Sequence, residues 1–289
     1  MRRQPHHVRP GLAVIAGVAI LATIPAVQAQ SAAAPADSKL SGDYITLGAG
    51  AIYGPSYEGS DDMVATPVPV VQGRLAGIEI TPRPGGIALD LLPDARGAKL
   101  GFSAGPVATW SGNRHRQIED RVVRASGKLK GALDLGLNGG VTVYRLLHDH
   151  DSLTLSADVM WNANDAHNGM TVTPQISYFT PLSQGSFVAL SASARHDDGD
   201  RARYYFSVNP AQSARSGLPE YRARSGWTKT GIGIVAGYDL NGNLLDGGFS
   251  VIVLGSYSRM LNDARRTPFT ALRGQADQWL AGAGLGYTF

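Results

Sequence analysis

Residues 278–289 read QWLAGAGLGYTF, and the parity of this stretch decides the fold class. Trp279, Ala281, Ala283, Leu285, Tyr287 and Phe289 share one parity; Gln278, Gly282, Gly284, Gly286 and Thr288 share the other, with Leu280 the one exception. A strand sends successive side chains to opposite faces, so this segment has one apolar face and one small or polar face. The same division recurs upstream. Leu153, Leu155, Ala157, Val159 and Trp161 oppose Thr154, Ser156, Asp158 and Asn162. Val188, Leu190, Ala192 and Ala194 oppose Ser191, Ser193 and Arg195, and Thr230, Ile232, Ile234, Ala236 and Tyr238 alternate mainly with glycine.

Alternation also occurs in soluble sandwiches, and three further features favour a membrane barrel. Segments of roughly ten residues suit a tilted strand crossing hydrocarbon. Aromatic residues sit at segment ends (Tyr44, Tyr53, Trp110, Tyr144, Trp161, Tyr178, Tyr238, Tyr257, Trp279 and Tyr287), as an interfacial girdle requires. The face opposite the apolar one is rich in Gly, Ser, Thr and Asp, which suits a polar lumen. Backbone groups in lipid must all be paired, so such a sheet has to close. The expectation is an all-β fold, a closed antiparallel transmembrane β-barrel of about 12 strands within a range of roughly 10–14.

The strands are expected at 43–53, 64–71, 74–81, 86–92, 98–110, 131–147, 153–162, 170–180, 186–196, 228–240, 248–259 and 278–289. Short turns then fall at Gln72-Gly73, 93–97, 148–152, 181–185 and 241–247, on the periplasmic side with both ends of the barrel. Longer loops fall at 54–63, 111–130, 197–227 and 260–277. The region 64–92 is the weakest, because Pro67, Pro69, Pro82 and Pro84 each lack a ladder donor.

Ahead of the barrel, residues 1–10 carry Arg2, Arg3 and Arg9 and no acid, and 11–24 (GLAVIAGVAILATI) is uncharged and mostly apolar. An apolar run this short is a signal-peptide core, since a spanning helix takes roughly 20 residues. Residues 1–29 are expected to be a cleavable signal peptide cut after Ala29, with a second small-residue site at Ala34-Pro35-Ala36. Residues 30–42 read as a disordered lead-in and 43–289 as the barrel domain. The chain has 26 Lys+Arg against 23 Asp+Glu, a net of +3 and a pI near 9.2. Removing the three arginines of the signal peptide from 26 leaves 23, equal to the 23 acids. The basicity therefore belongs to the signal and supports no nucleic-acid partner. Cysteine is absent, which excludes disulfides and thiolate metal sites.

Few residues suggest chemistry. Asp61-Asp62 and Asp197-Asp198-Gly199-Asp200 are acidic clusters without the spacing of a calcium loop. His148-Asp149-His150-Asp151 lies in a tight turn whose neighbouring side chains diverge. Nucleophilic catalysis needs a Ser, a His and a group that orients it. Ser193 and His196, at odd spacing, fall on opposite faces of a strand, and no Gly-x-Ser-x-Gly turn occurs. The glycines at 231–233 and 282–286 lie inside strands with no helix following, so they do not form a phosphate cradle. No enzyme activity, metal or cofactor is expected. The segment 197–227 is too long for an ordinary connection and reads as a folded lid or plug over the extracellular mouth.

Several stretches resemble one family. They are 52–62 (IYGPSYEGSDD), the Pro-rich 66–70 (TPVPV), 100–107 (LGFSAGPV) and above all 204–221 (YYFSVNPAQSARSGLPEY). Within the last, Tyr205, Asn209, Pro210, Gln212, Ser213, Ser216, Gly217, Leu218, Pro219 and Tyr221 form the signature. From about residue 43 onward the sequence is similar to the MipA/OmpV family of outer-membrane barrels, the MltA-interacting proteins. The ending GLGYTF also looks like the family's but is shared by unrelated barrels; in it Tyr287 and Phe289 resemble the address read by the outer-membrane assembly machinery.

The resemblance implies a Gram-negative outer-membrane protein, exported through the periplasm into lipid and lipopolysaccharide, without known enzymatic chemistry. It implies a scaffold that brings a murein-cleaving lytic transglycosylase together with a murein synthase. Docking would then use the turns near 93–97, 148–152 and 241–247 and the lead-in. The alternative is a narrow channel or osmotically responsive permeability protein, with Asp134, Asp158 and Arg195 in the lumen setting selectivity.

Overall fold

The structure is a computed structural model that describes residues 42–95 and 97–289. The expected signal peptide, both of its cut sites and residues 30–41 of the lead-in lie outside the described residues. Twelve strands close into one antiparallel barrel in which each strand pairs with its neighbours in sequence and the first pairs with the last. They are β1 (Tyr44–Pro55), β2 (Met63–Leu75), β3 (Ile78–Arg83), β4 (Gly86–Asp90), β5 (Leu100–Ser111) and β6 (Ala132–Tyr144). The second half comprises β7 (Ser152–Asn162), β8 (Met170–Ser183), β9 (Ser186–Asp197), β10 (Gly226–Asp239), β11 (Gly248–Met260) and β12 (Asp277–Thr288). Five short helices decorate one end: α1 (Arg121–Ser126), α2 (Gly199–Phe206), α3 (Pro210–Ser216), α4 (Asn262–Arg266) and α5 (Pro268–Ala271).

The parity read from 278–289 sets the two faces of the wall. Trp279 (62 % exposed), Leu285, Leu137, Leu155 and Ile232 all stand outward as large exposed apolar side chains. A water-soluble domain would bury them; a wall facing hydrocarbon presents them. Gln278, Asp134, Thr142, Thr154 and Arg195 face inward and are buried. The exception Leu280 is also inward, where it packs on Ile52. Two expected girdle residues are corrected. Tyr44 and Tyr144 are buried, because their even positions on β1 and β6 turn them into the lumen.

Closure depends on small residues where β1 meets β12. A side chain at Gly50 would put its Cβ 2.4 Å from the Ala283 carbonyl oxygen and 2.8 Å from Gly284 Cα, backbone that cannot move aside. Glycine lets the two strands approach and lets the wall curve sharply there.

The turn expected at Gln72-Gly73 lies instead at Ala76-Gly77. Both residues there have positive φ, 52° and 81°, the signature of the two-residue hairpin turn that matches strand twist. The Asp43 carboxylate accepts the Ala76 N–H at 2.9 Å. Gly73 is a glycine for a different reason: a Cβ there would stand 2.4 Å from the Tyr44 carbonyl oxygen, so it permits close pairing of β2 with β1. The prolines of β2 also have an ordered placement. Leu75 pairs with Ile78 across the turn, so odd positions of β2 direct their backbone groups towards β3 and even positions towards β1. Pro67 and Pro69 are odd. Their missing N–H groups cost the β1 ladder nothing, and its register runs unbroken from Tyr44–Arg74 to Pro55–Met63.

Candidate functional site

The extracellular connections pack into a lid, which is where the family-like residues lie. Each cap is supplied locally. Asp198 accepts the Arg201 N–H at the start of α2. Asn209 and Gln212 cap one another reciprocally at the start of α3, Pro210 occupies its first turn, and Gly217 ends it at φ 72°. Ser216 Oγ donates to the Gln212 carbonyl, and Ser213 Oγ to the Leu218 carbonyl, both at 2.7 Å. An antiparallel bridge between Val208 and Tyr221 closes the base of this unit, and the Tyr221 hydroxyl reaches the Asp263 carbonyl at 3.3 Å. Pro219 is exposed beyond the helix. Leu218 inserts into a small core with Tyr57, Ile118, Val123, Val208 and Phe269, drawn from four different connections. Tyr205 anchors a second core with Phe206 and Met260. The Tyr205 hydroxyl bonds Ser111 Oγ at 3.3 Å, and burial pushes its pKa up to about 12. The segment 204–221 is therefore the framework of a folded lid.

Arg114 is the odd member of the lid. It is 1 % exposed, its guanidinium stands 3.7 Å from the Phe269 ring centre, and it donates to the Tyr205 carbonyl and to Ser126 Oγ. These partners are neutral, and burial lowers its pKa to about 10.

Beneath the lid lies a layer of charge. Glu58 descends from the 56–62 connection and accepts both Arg195 Nη1 and Nη2 at 2.8 Å and Lys229 Nζ at 2.7 Å. Burial alone would raise the Glu58 carboxyl, but Arg195 and Lys229 beside it hold it well below the usual carboxylate range. Arg195 also lies 3.3 Å from Asp197, which pairs with Arg201 of α2 at 3.0 Å. Arg201 continues to Asp134 at 2.7 Å, and His167 meets the same carboxylate at 2.9 Å. Three carboxylates thus face three cations across the mouth of the lumen. Lower down, Arg83 on β3 crosses to Asp158 on β7 at 2.8 Å.

All three expected lumen residues, Asp134, Asp158 and Arg195, therefore point inward and are ion-paired. Glu58, Lys229 and Arg201 were missed by sequence reasoning. Lys229 leaves the regular alternation because the ladder shifts between Trp227 and Lys229, turning both Thr228 and Lys229 inward. Glu58 sits in an irregular loop with no period to betray it. Other sequence candidates separate. Ser193 lines the lumen, whereas His196 packs edge-on against Trp227 at 5.4 Å. Asp151 accepts the N–H groups of Leu146 and Leu147 and the Tyr178 hydroxyl, which makes it a turn anchor. Asp197, Asp198 and Asp200 serve an ion pair, a helix cap and a surface pair respectively. Among the described residues no group of three or more metal-ligating side chains comes together.

The periplasmic half of the lumen is different in character. Ile52, Val68, Val70, Val235, Ile252 and Leu254 line a cavity beside the backbone of Gly48, Gly50, Gly284 and Gly286. At its lower end Leu244, from the 240–247 turn, packs on Phe179 and Phe187.

Comparison with known families places this architecture. The family described as MltA-interacting protein MipA matches residues 47–289. The chain belongs to the MipA family. Its location is accordingly the outer membrane, in agreement with the closed barrel and its apolar outer face. No curated protein matches the chain. Among solved structures it is similar to the COG4313 outer membrane channel from Pseudomonas putida F1, at 13% identity and TM-score 0.45, covering 86% of this chain and 96% of that one. It is also similar to the Pseudomonas putida toluene transporter TodX, at 10% identity and TM-score 0.40, covering 86% and 89%. The outer membrane protein OprD from Pseudomonas aeruginosa matches at 12% identity and TM-score 0.37, covering 85% of this chain and 65% of that one.

Proposed function

We propose that this MipA-family barrel is a narrow permeability protein for small solutes, closed at rest by its extracellular lid. The observation that carries the reading is the ion-paired layer of Glu58, Arg195, Lys229, Asp197, Arg201 and Asp134 in the mouth of the lumen. A barrel serving only as an anchor has no need of charges converging across its interior, where removal from water costs several kcal/mol per ion. In a pore, such a layer offers alternating partners to a passing ion or polar solute. Glu58 belongs to the lid, and Arg195 and Lys229 belong to the wall. Movement of the lid would therefore open the mouth and free two cations.

Among the described residues, the scaffold role implied by the family's name has little periplasmic surface to act through. The turns there run over 76–77, 91–99, 145–151, 184–185 and 240–247, and the longest of them are partly folded against the barrel. The two readings separate in one paired experiment. Deleting 209–219 removes α3 at a point where Val208 and Tyr221 already lie side by side, so the chain rejoins without a gap. Faster swelling of proteoliposomes in small sugars or amino acids, with the barrel assembled, supports the pore. Unchanged permeation together with recovery of murein-processing enzymes from solubilised envelope supports the scaffold.

A further inference from the structure

The barrel wall is weakly paired between β2 and β3, and this seam borders the apolar cavity. β2 pairs with β1 along its whole length, but among the described residues it pairs with β3 only across Gly73–Leu75 and Ile78–Ile80. One step further along the ladder stands Pro82, an even position of β3 whose missing N–H would have pointed at β2. Pro67 and Pro69 present the same lack from the opposite side. Three prolines thus leave the two facing edges short of the donors needed to zip them together. At the top of the seam a side chain takes the place of a strand: Gln117 Nε2 donates to the Ala65 carbonyl at 3.4 Å. The β3–β4 hairpin is held from elsewhere, by Arg83 to Asp158 across the lumen and by pairing of Gly86–Ala88 with β5.

Val68, Val70, Gln72 and Pro82 line both this seam and the cavity behind it. The charged layer lies above the cavity, and Leu244 and Phe187 line its lower end. From these observations we infer that the lower lumen is a binding site for a small uncharged apolar molecule, one aromatic ring or a short alkyl chain, which enters and leaves sideways through the β2–β3 seam to the membrane. Its volume, about 100 Å³, is below the roughly 150 Å³ of a dry apolar cavity that takes a benzene ring, so a single ring or a short alkyl chain is the upper size. Anionic solutes are excluded, because the Ile, Val and Leu side chains offer them no partner and the one carboxylate in the lining, Asp239, repels them. The inference does not depend on the lid opening, so it stands apart from the pore reading.

Photolabelling in lipid nanodiscs tests it with the full barrel. Phenyl azide is one ring and enters hydrocarbon; 4-azidobenzenesulfonate is the same ring with a permanent charge. Brief exposure, illumination and peptide mapping are expected to place phenyl azide on 68–70 and 252–254, with the sulfonate at least tenfold weaker there. Val70→Trp, which fills the cavity, is expected to abolish that label while leaving label on the outer face. For the route, the absence of cysteine lets Val71→Cys or Val253→Cys be capped with a bulky maleimide at a single site. The cap beside the seam at 71 is expected to slow cavity labelling several-fold, and the cap on β11 at 253 is expected to leave it unchanged. Equal labelling by both azides means loading from water, which overturns the lateral route and leaves the pore reading intact. No cavity label from either azide overturns the site itself, and equal rates with the two caps overturn the seam.

Discussion

Glu58 is the residue on which the proposed closed state turns. It brings a lid carboxylate into contact with two wall cations, so its loss leaves Arg195 and Lys229 buried with less than their due of negative charge. Breaking a buried pair in this way typically costs about 3–5 kcal/mol. Glu58→Gln is expected to lower the urea midpoint of the folded barrel accordingly, and Lys229→Met less, because Arg195 still holds the carboxylate. The sign of the pH dependence follows from the depressed Glu58 carboxyl. Its contribution is fully present above the unfolded value, about 4.5, and is lost only as the pH falls through the lower folded value. The lid is therefore expected to stay shut from about pH 5 to 8 and to loosen only in stronger acid, read as protease cleavage within 198–225. Gly50 makes the complementary point about the wall. Gly50→Ala is expected to cut the yield of assembled barrel, because the new Cβ meets backbone of β12 on the closing seam.

At the level of elements, α3 owes its form to its caps. Asn209→Ala removes one half of a reciprocal cap and is expected to cost about 1 kcal/mol. The measurement is amide exchange across 210–216, which should quicken there while the strands keep their protection. The strands were legible in the sequence because the bilayer enforces a period of two on every one of them, and 278–289 announced it. The β2–β3 turn was not, since Gly73 and Ala76-Gly77 are both glycine-marked and only strand register separates close packing from a bend. The lid helices were hidden for another reason. They are four to eight residues long, too short for a helical period to emerge. Their caps are visible in the sequence, since Asn209-Pro210 and Gly217 bracket α3, and Pro210, Ser213, Ser216, Gly217 and Pro219 are residues that favour turns. Ion pairs joining positions as distant as Glu58 and Lys229 leave no trace in a single sequence.

Over the whole molecule, two halves of one lumen have opposite chemistry. The mouth is charged and balanced, held by a lid built from four connections; the lower half is lined on one side by apolar side chains and glycine backbone. Alternation foretold a lumen lined by small and polar residues, and Ile52, Val68, Val235, Ile252 and Leu254 depart from it. Each keeps the strand's parity while breaking its polarity, so a reading by parity alone passes over them. The pore account makes its sharpest claim about the mouth. Planar-bilayer recordings of the purified barrel, wild type beside Glu58→Gln at neutral pH, test it directly. The account expects rare, small openings from the wild type and longer, larger ones from Glu58→Gln. Silence from both proteins, with assembly verified, would contradict it.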